Sequence, residues 1–461
     1  MSIESFAQKV FGIHSLKPAQ ITVINNILEK EDVVALMPTG SGKSITFQLP
    51  VIYCGGRALV ITPLIALMED QVMQLNMNRI RAVAIHSGLS SETIHLIMGD
   101  IERYQFIYCS PEWLQSELCD VILSKVRITH IILDEAHCIS QWGYQFRPYY
   151  LLVNRIINKC NAVVIGLTAT ASQKIINDII EVTERDLNVL NFLHMDKDIF
   201  LYKFEIEEQD KITFLRKTLN DTGPTIIYFS SKRICDEIYS ILSKEYTVDR
   251  YHADMEYKDR ADVQSRYMAD DVQIICATSA FGMGINKKNI RTVIHYHMPS
   301  SIYQFIQEIG RAGRDGEVCQ SILLYNDHDI VQARRMIELD RIDESVLYNY
   351  YHNNLQDETL IERINIFRKR FNDEELPMRL KKQFEEQQHN LNSMLRYVNC
   401  NNCLHNELEN LSINSLDNTK SGNRLNEDCD YCQSNEIQRF KSAIYYNELE
   451  TVTAILNRLF N

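Results

Sequence analysis

A glycine-rich stretch near the N-terminus has the residue types that bind phosphate. It consists of Thr39, Gly40, Ser41, Gly42, Lys43 and Ser44, between an apolar run and a segment with the character of a helix. Backbone amides of such a P-loop surround phosphates, and we expect Lys43 to reach the β and γ phosphates of a nucleotide and Ser44 to bind Mg²⁺. The usual pattern begins with glycine, where this chain has Met37. A glycine-rich turn without a ligand is therefore the alternative.

Two adjacent acids follow an apolar strand further along the chain. Asp134 and Glu135 come directly after Ile131, Ile132 and Leu133. Phosphate hydrolysis requires positioning and charge neutralisation, so we expect Asp134 to bind Mg²⁺ and Glu135 to orient the attacking water. The alternative is an ordinary solvated strand end, which the P-loop upstream disfavours.

Two arginines, Arg311 and Arg314, lie in a glycine-flanked segment of the second half of the chain. A guanidinium group stays charged and presents a planar fork, so the pair suits the charge that develops on a transferring phosphoryl group. The segment predicts the start of a helix. Without the other motifs of the chain, we would interpret it as a basic surface turn. With the P-loop in one domain and the arginines in another, we expect a cleft that closes with ATP.

Short runs of β-branched and aliphatic residues alternate with segments of helical length, a pattern typical of a parallel α/β sheet buried on both faces. The runs are residues 32–36, 58–61, 105–108, 130–133 and 162–167, then 224–229, 247–251, 272–277, 292–296 and 321–325. We therefore predict two tandem α/β domains, divided in the polar stretch 202–212. Charged helical segments replace the strands beyond about residue 340. The predicted units are residues 1–205, 206–340, a helical module at 341–435 and a short helical tail at 436–461.

The composition excludes several classes of protein. Hydrophobic residues make up 45% and charged residues 24% of the 461 residues, and no apolar run is long enough to span a bilayer. The first residues do not form a secretory signal, so we expect a cytoplasmic protein. A formal charge of −13 argues against a protein whose whole surface is basic and binds nucleic acid, but it permits a local basic groove.

Four of the 12 cysteines form two pairs near the C-terminus. Cys400 and Cys403 precede Cys429 and Cys432, with 25 residues between the pairs. Four thiolates at this spacing favour a closed tetrahedral Zn²⁺ site. A disulfide or free thiols are the alternatives, and His405 is a candidate substitute ligand. The other eight cysteines lie in apolar contexts and are interpreted as small buried hydrophobic residues.

The motifs, in the order in which they occur along the chain, resemble those of superfamily 2 helicases. In detail, residues 6–330 resemble the RecQ family. A motif ahead of the P-loop, which includes Lys17 and Gln20, is similar to the one that binds adenine. Other family motifs are resembled by residues 59–72, 167–171, 251–253, 277–285 and 307–316. The most specific match, residues 136–148, resembles the aromatic-rich loop of RecQ proteins.

The resemblance implies an α/β fold with two tandem RecA-like parallel-sheet domains, followed by a mostly helical zinc-binding module. It implies an ATP-dependent DNA helicase that moves 3′→5′ on single-stranded DNA, unwinds duplex DNA and acts in recombination and repair. The expected cofactors are ATP, Mg²⁺ and Zn²⁺. Single-stranded and partly duplex DNA is the expected substrate, with single-strand-binding or repair proteins as candidate partners. We expect a monomer that associates with the nucleoid and has no membrane contact.

The aromatic-rich loop also has a physical reason to bind DNA. Trp142, Phe146 and Arg147 offer π faces and a cation to unpaired bases, and such stacking contributes about 1–3 kcal/mol per base. The alternative is that one of the two aromatic rings packs beneath the loop. By resemblance, phosphate contacts are expected from Thr62, Ser110, Ser230 and Thr278.

Some positions depart from the family pattern. Tyr144 and Gln145 stand where His and Asp are usual, and Asn286 stands where Asp is usual, so we expect altered coupling between DNA and ATP. The family commonly has one cysteine followed by three close together, whereas this chain has two pairs. Only 29 residues follow Cys432, which we interpret as too few for winged-helix and further helical domains.

Two alternatives to a full helicase therefore stay open. One is a DNA-stimulated translocase that unwinds poorly because it lacks a strand-separating wedge. The other is a nucleotide-switched DNA-binding protein whose ATP hydrolysis is incidental. The tail at 436–461 is predicted either to dock a partner or to cap the zinc module.

Overall fold

The computed structural model describes residues 1–38, 40–140, 148–169, 173–193, 199–281 and 287–413. Within these ranges the chain forms two lobes, each built on one parallel sheet, followed by a group of helices. None of the helices in these ranges combines the length and the apolar character that crossing a membrane requires. The predicted pair of parallel α/β domains is confirmed.

The first lobe contains a seven-stranded parallel sheet. Its strands are β1 (Val33–Leu36), β2 (Ala58–Ile61), β3 (Ala82–Ile85), β4 (Phe106–Cys109), β5 (His130–Leu133), β6 (Val163–Thr168) and β7 (Asn188–Asn191). Their spatial order is β3-β4-β2-β5-β6-β1-β7. The helices of this lobe are α1 (Ile3–Phe11), α2 (Pro18–Leu28), α3 (Lys43–Tyr53), α4 (Ile65–Met77), α5 (Ser91–Gly99), α6 (Glu117–Lys125), α7 (Val153–Lys159) and α8 (Gln173–Thr183). Because the strands run in one direction, the residues that follow their carboxyl ends meet at one edge of the sheet.

The second lobe repeats this plan with six parallel strands. They are β8 (Ile199–Glu205), β9 (Thr225–Tyr228), β10 (Val248–Tyr251), β11 (Ile274–Ala277), β12 (Thr292–His295) and β13 (Cys319–Tyr325). Their spatial order is β10-β11-β9-β12-β13-β8. The helices of this lobe are α9 (Glu208–Thr218), α10 (Lys232–Leu242), α11 (Tyr257–Met268), α12 (Ile302–Ile309) and α13 (Asp327–Leu339).

The boundary between the lobes lies upstream of the predicted one. β8 pairs in parallel with β13, so residues 199–205 belong to the second sheet and not to a first domain that extends to residue 205. β8 lies at the edge of its sheet and most of its side chains are half-buried, so it lacks the continuous apolar run of a central strand. The sequence did not predict β3 and β7 either, the two edge strands of the first sheet. β7 is mostly exposed and lacks an apolar run, whereas β3 is a short apolar run that is mostly buried.

Beyond residue 340 the described residues, which end at 413, form four helices, as predicted for this region. They are α14 (Glu344–Tyr351), α15 (Glu358–Arg370), α16 (Leu376–Asn399) and α17 (Leu404–Ile413). The remainder of the predicted module and the predicted tail lie outside the described residues.

Helix α16 packs against both lobes. It has 24 residues, which corresponds to a length of about 36 Å. Leu376 and Leu380, near its start, belong to the apolar core of the first lobe. Leu391 and Met394, near its end, belong to a core of the second lobe. A single rigid helix therefore connects the two cores.

Met394→Ala should lower the free energy of unfolding by about 2–5 kcal/mol, because its removal leaves a cavity at a fully buried position. Met378→Ala, on the same helix, is the matched control. Its side chain is 64% exposed, and we expect a change of no more than about 0.5 kcal/mol. Urea unfolding followed by circular dichroism would measure both. Equal losses of unfolding free energy in Met394→Ala and Met378→Ala would contradict the packing of α16 into the second lobe.

Candidate active site

The P-loop connects β1 to α3, and its glycines adopt backbone conformations that other residues avoid. Gly40 and Gly42 have φ values of +75° and +79°, and a Cβ on Gly42 would lie 2.5 Å from Nε2 of Gln20. Lys43 and Ser44 are the first two residues of α3. They therefore lie at a helix N-terminus, where backbone amides and the helix dipole favour phosphate.

Met37 replaces the usual first glycine without disturbing the loop. Its side chain is fully buried in a core of the first lobe. Its N–H donates to the carbonyl oxygen of Thr168 at 2.9 Å, which continues the pairing of β1 with β6. The departure from the consensus thus lies at the end of the strand, before the turn begins. Thr39, also predicted to contact phosphate, lies outside the described residues.

Gln20 ties the P-loop to the start of α2. Its Oε1 accepts a hydrogen bond from the backbone N–H of Lys17 at 2.8 Å, and its Nε2 donates to the carbonyl oxygen of Ser41 at 2.9 Å. Oγ of Ser41 is buried and has no hydrogen-bond partner among the described residues, as expected of a hydroxyl that faces a phosphate. Contacts of Lys17 and Gln20 with adenine stay a prediction, and the structure adds a role for Gln20 in holding the loop.

The two acids follow β5 directly, and Glu135 has a left-handed backbone with φ of +50°. Nζ of Lys43 lies 3.4 Å from Oε1 of Glu135. Oδ2 of Asp134 accepts a hydrogen bond from Nε2 of Gln71 at 3.1 Å. The hydroxyl of Tyr108 in turn donates to Oε1 of Gln71 at 3.0 Å. A buried polar chain that the sequence did not predict therefore orients Asp134.

The environment gives the two carboxyl groups different acidities. Burial, followed by the charge of Glu135, raises the pKa of Asp134 to about 6. Burial acts on Glu135 in the same direction, but the ammonium group of Lys43 and other neighbours outweigh it and lower the pKa of Glu135. An ionised Glu135 can accept a hydrogen bond from water, and a bound Mg²⁺ would favour the ionised form of Asp134. The residues therefore fit their predicted roles.

His137 connects the acids to the second lobe. Its Nδ1 lies 3.3 Å from Oε2 of Glu135 and 3.1 Å from Oγ1 of Thr168. Its Nε2 lies 3.5 Å from the side-chain nitrogen of Gln307 on α12. Burial lowers the pKa of His137 to about 4, so the ring is neutral at physiological pH. Since the Gln307 amide nitrogen can only donate, we assign the ring proton to Nδ1.

Arg311 and Arg314 follow the end of a helix, which corrects the predicted helix start. Helix α12 ends at Ile309 and Gly310 is its C-terminal cap. Gly313 has φ of +64°, a conformation that interrupts a right-handed helix. The glycines that suggested a helix start are therefore the residues that end one.

Both arginines reach the nucleotide site from the second lobe. A Cβ on Gly40 would lie 3.2 Å from Cδ of Arg314, so Arg314 lies against the P-loop. Burial, followed by the charge of Arg311, lowers the pKa of Arg314 to about 10, which leaves it charged at neutral pH. Arg311 is buried and its charge contributes to the lowered pKa of Glu135. The structure thus brings together all five predicted catalytic residues: Lys43, Asp134, Glu135, Arg311 and Arg314.

Comparison with known proteins agrees with this geometry. The first lobe matches the DEAD/DEAH box helicase family over residues 17–179, and the second matches the helicase conserved C-terminal domain over residues 210–316. The chain is 37% identical over 341 residues to the probable ATP-dependent DNA helicase RecS of Bacillus subtilis, covering 72% of this chain and 68% of RecS. It is 36% identical over 343 residues to the ATP-dependent DNA helicase RecQ of Haemophilus influenzae, covering 72% of this chain and 55% of that protein. The chain belongs to the RecQ family of ATP-dependent DNA helicases.

Membership in the RecQ family confirms the predicted enzyme class, an ATP-hydrolysing DNA helicase. The chain spans little more than half the length of its Haemophilus relative. Among solved structures, the helicase Lhr of Mycobacterium smegmatis, bound to single-stranded DNA and AMP-PNP, aligns with a TM-score of 0.59 at 18% identity. That alignment covers 73% of this chain and 49% of Lhr, and at this identity it establishes the shared fold alone.

In this RecQ-family chain, the four residues with predicted phosphate contacts lie at the carboxyl ends of strands. Thr62 follows β2, Ser110 follows β4, Ser230 lies just beyond β9 and Thr278 follows β11. Ser230 is exposed, whereas the other three are buried. Their contacts with DNA stay predictions. The remaining residues named for DNA binding or as departures from the family pattern lie outside the described residues: Trp142, Tyr144, Gln145, Phe146, Arg147 and Asn286.

Two of the four predicted zinc ligands lie just beyond α16. Cys400 caps the helix, and its Sγ accepts a hydrogen bond from the N–H of Asn402 at 3.3 Å. Cys403 is buried. Nε2 of His405, the candidate substitute ligand, lies 2.8 Å from the carbonyl oxygen of Ile199 and is engaged there. The other two predicted ligands, Cys429 and Cys432, lie outside the described residues.

Gln20→Ala should weaken ATP binding by up to about tenfold, because the P-loop carbonyls lose a buried donor whose hydrogen bond contributes about 1 kcal/mol. Gln20→Glu should bind more weakly still, because it turns a carboxylate towards those carbonyl oxygens. Titration with a fluorescent ATP analogue measures both, with the exposed Gln8→Ala as control. If Gln20→Glu binds as tightly as the unmodified protein, Gln20 does not hold the loop in this way.

Proposed function

We propose that this chain uses ATP hydrolysis to move 3′→5′ along single-stranded DNA and to unwind duplex DNA during recombination and repair. The observation that carries the proposal is that charged groups of both lobes converge on one P-loop. Lys43 and Glu135 come from the first lobe, and Arg311 and Arg314 come from the second. Such a site is complete only when the lobes are together, which is the requirement for turning hydrolysis into relative motion.

Each residue has a definite part in hydrolysis. The P-loop amides and Lys43 hold the β and γ phosphates. Ser44 and Asp134 would hold Mg²⁺, which would neutralise phosphate charge. Lys43 then turns from Glu135 to the phosphates, and Glu135 is left to orient the attacking water. Arg311 and Arg314 stabilise the charge that develops on the transferred group.

The contact between His137 and Gln307 gives the acids a direct connection to the second lobe. Separation of the lobes breaks this contact and withdraws the arginines at the same time. The site then releases its product, and the next closure rebuilds it. With DNA held across both lobes, each cycle advances the chain along the strand. Trp142, Phe146 and Arg147 are proposed to stack on unpaired bases, and Thr62, Ser110, Ser230 and Thr278 to line the path of the phosphates.

We also propose that Cys400, Cys403, Cys429 and Cys432 bind one structural Zn²⁺. The hydrogen bond from the N–H of Asn402 to Sγ of Cys400 supports the proposal, and so does the CxxC spacing of both cysteine pairs. Lys203 on β8 donates to the carbonyl oxygens of Val398 and Cys400. A metal here would therefore fix the end of α16 to the second sheet.

The unmodified protein should hydrolyse ATP faster with single-stranded DNA and should displace a strand from a duplex with a 3′ tail but not from one with a 5′ tail. Both can be measured with a coupled ATPase assay and labelled duplexes. Stimulation without displacement would favour the poorly unwinding translocase, and binding without stimulation would favour the nucleotide switch.

Glu135→Gln is the matched control for these assays. It keeps the size of the side chain but loses the charge, so turnover should fall at least about a hundredfold. ATP binding should be retained, because the P-loop is untouched. Hydrolysis that survives this substitution would show that another group orients the water.

The purified protein should contain one zinc ion per chain, as measured by elemental mass spectrometry. Cys403→Ser should lose most of this zinc. Cys54→Ser, at an exposed cysteine of the first lobe, should keep it. Removal of zinc should lower the melting temperature, because a structural site stabilises the folded state through its ligands. A metal-free preparation that melts at the same temperature would contradict the proposal.

A further inference from the structure

Helices α15 and α16 contact the first lobe on both sides of residues 141–147, the part of the predicted DNA loop that lies outside the described residues. Ser140 is the last described residue before this segment. A short helical turn, Pro148–Leu152, follows it. The downstream flank contacts α15 directly, and the upstream flank is connected to α16 through Lys174 of α8.

The upstream contact begins at Glu386, in the middle of α16. Nζ of Lys174, on α8, lies 3.1 Å from Oε2 of Glu386 and 3.3 Å from Oγ of Ser140. Lys174 also pairs with Asp178, which accepts a hydrogen bond from the hydroxyl of Ser140. Ser140 is buried, and Glu386 is only 17% exposed. One ammonium group therefore joins α16 to the residue that precedes the segment.

The downstream contact begins at Glu362, on α15. Its carboxylate accepts a hydrogen bond from the hydroxyl of Tyr149. The adjacent Tyr150 points into the first lobe, where its hydroxyl donates to the backbone carbonyl oxygen of Asp134 at 3.3 Å. Two neighbouring tyrosines thus connect α15 to the strand end that carries the catalytic acids.

The helices themselves are fixed to the first lobe by further ion pairs. Arg370 lies 2.6 Å from Glu184, and Arg379 lies 2.7 Å from Glu181. Glu386 is located between Leu380, in the core of the first lobe, and Leu391, in a core of the second. It is therefore at the point where α16 passes from one lobe to the other.

We propose that Glu362 and Glu386 are positioning residues that hold the two flanks of residues 141–147 and allow DNA to stimulate ATP hydrolysis. Movement of the second lobe reaches Ser140 through α16, Glu386 and Lys174. It reaches the acids through Tyr149 and Tyr150. The inference rests on the proposed function, because it requires DNA to accelerate hydrolysis.

Tyr149→Phe and Glu386→Gln test the two contacts separately. ATPase rates are measured without DNA and over a titration with oligothymidylate. In each variant, the maximal DNA-stimulated rate should fall about fivefold, since small errors in position have large effects on catalysis. The DNA-free rate and the oligothymidylate concentration for half-maximal stimulation should stay within about twofold of the unmodified protein, because neither residue contacts nucleotide.

Tyr348→Phe and Glu385→Gln are matched controls. Tyr348 on α14 is 61% exposed, and the side chain of Glu385, next to Glu386, is 60% exposed. Both should behave as the unmodified protein does. If DNA stimulates Tyr149→Phe and Glu386→Gln as fully as the unmodified protein, the inference is wrong but the proposed function stands. The same holds if the DNA-free rate falls as much as the DNA-stimulated rate. If oligothymidylate does not stimulate the unmodified protein, the proposed function fails and the inference fails with it.

Discussion

Lys43 and Glu135 form an ion pair whose side chains are only 13% and 11% exposed. Removing either partner would leave a charge with little access to water, so the pair is stable only as long as both members or a substitute are present. The phosphates of a nucleotide are the natural substitute partner for Lys43. The P-loop, the end of β5 and the turn after α12 converge on one small region, where three cationic side chains exceed the two carboxyl groups and leave charge for the phosphates to neutralise.

The parallel sheets make this convergence possible. Their strands end at one edge, so residues that are far apart in the chain become neighbours there. Gln71 and Tyr108 then fix the direction of Asp134 with neutral hydrogen bonds, and the neutral ring of His137 lies 3.3 Å from Oε2 of Glu135. Neutral groups can do this without adding charge to a site that already contains two carboxylates. The precision of the site thus depends on groups that take no direct part in the chemistry.

The sequence indicated which charged groups lie together in the structure but not the residues that support them, for a physical reason. P-loop glycines, paired acids and paired arginines have local patterns that few other structures require. Gln71 and Gln307 lie inside two of the matched motifs, but their contacts were not predicted, because an amide gains its role only from a partner distant in the chain. The edge strands β7 and β8 were not predicted, because their exposed or half-buried residues lack the continuous apolar run of central strands. The arginines lie near the P-loop, and their catalytic role stays a prediction. Their glycines indicated the wrong end of a helix, since glycine occurs at both.

Helix α16 limits how the protein can be divided. A fragment that stopped after the second sheet would expose the hollows that Leu376, Leu380, Leu391 and Met394 fill, and these hollows are apolar. Such a fragment would contain every predicted catalytic residue and still be prone to aggregate. The two sheets and the helices after them are best regarded as one folding unit, although only the sheets carry the recognisable motifs.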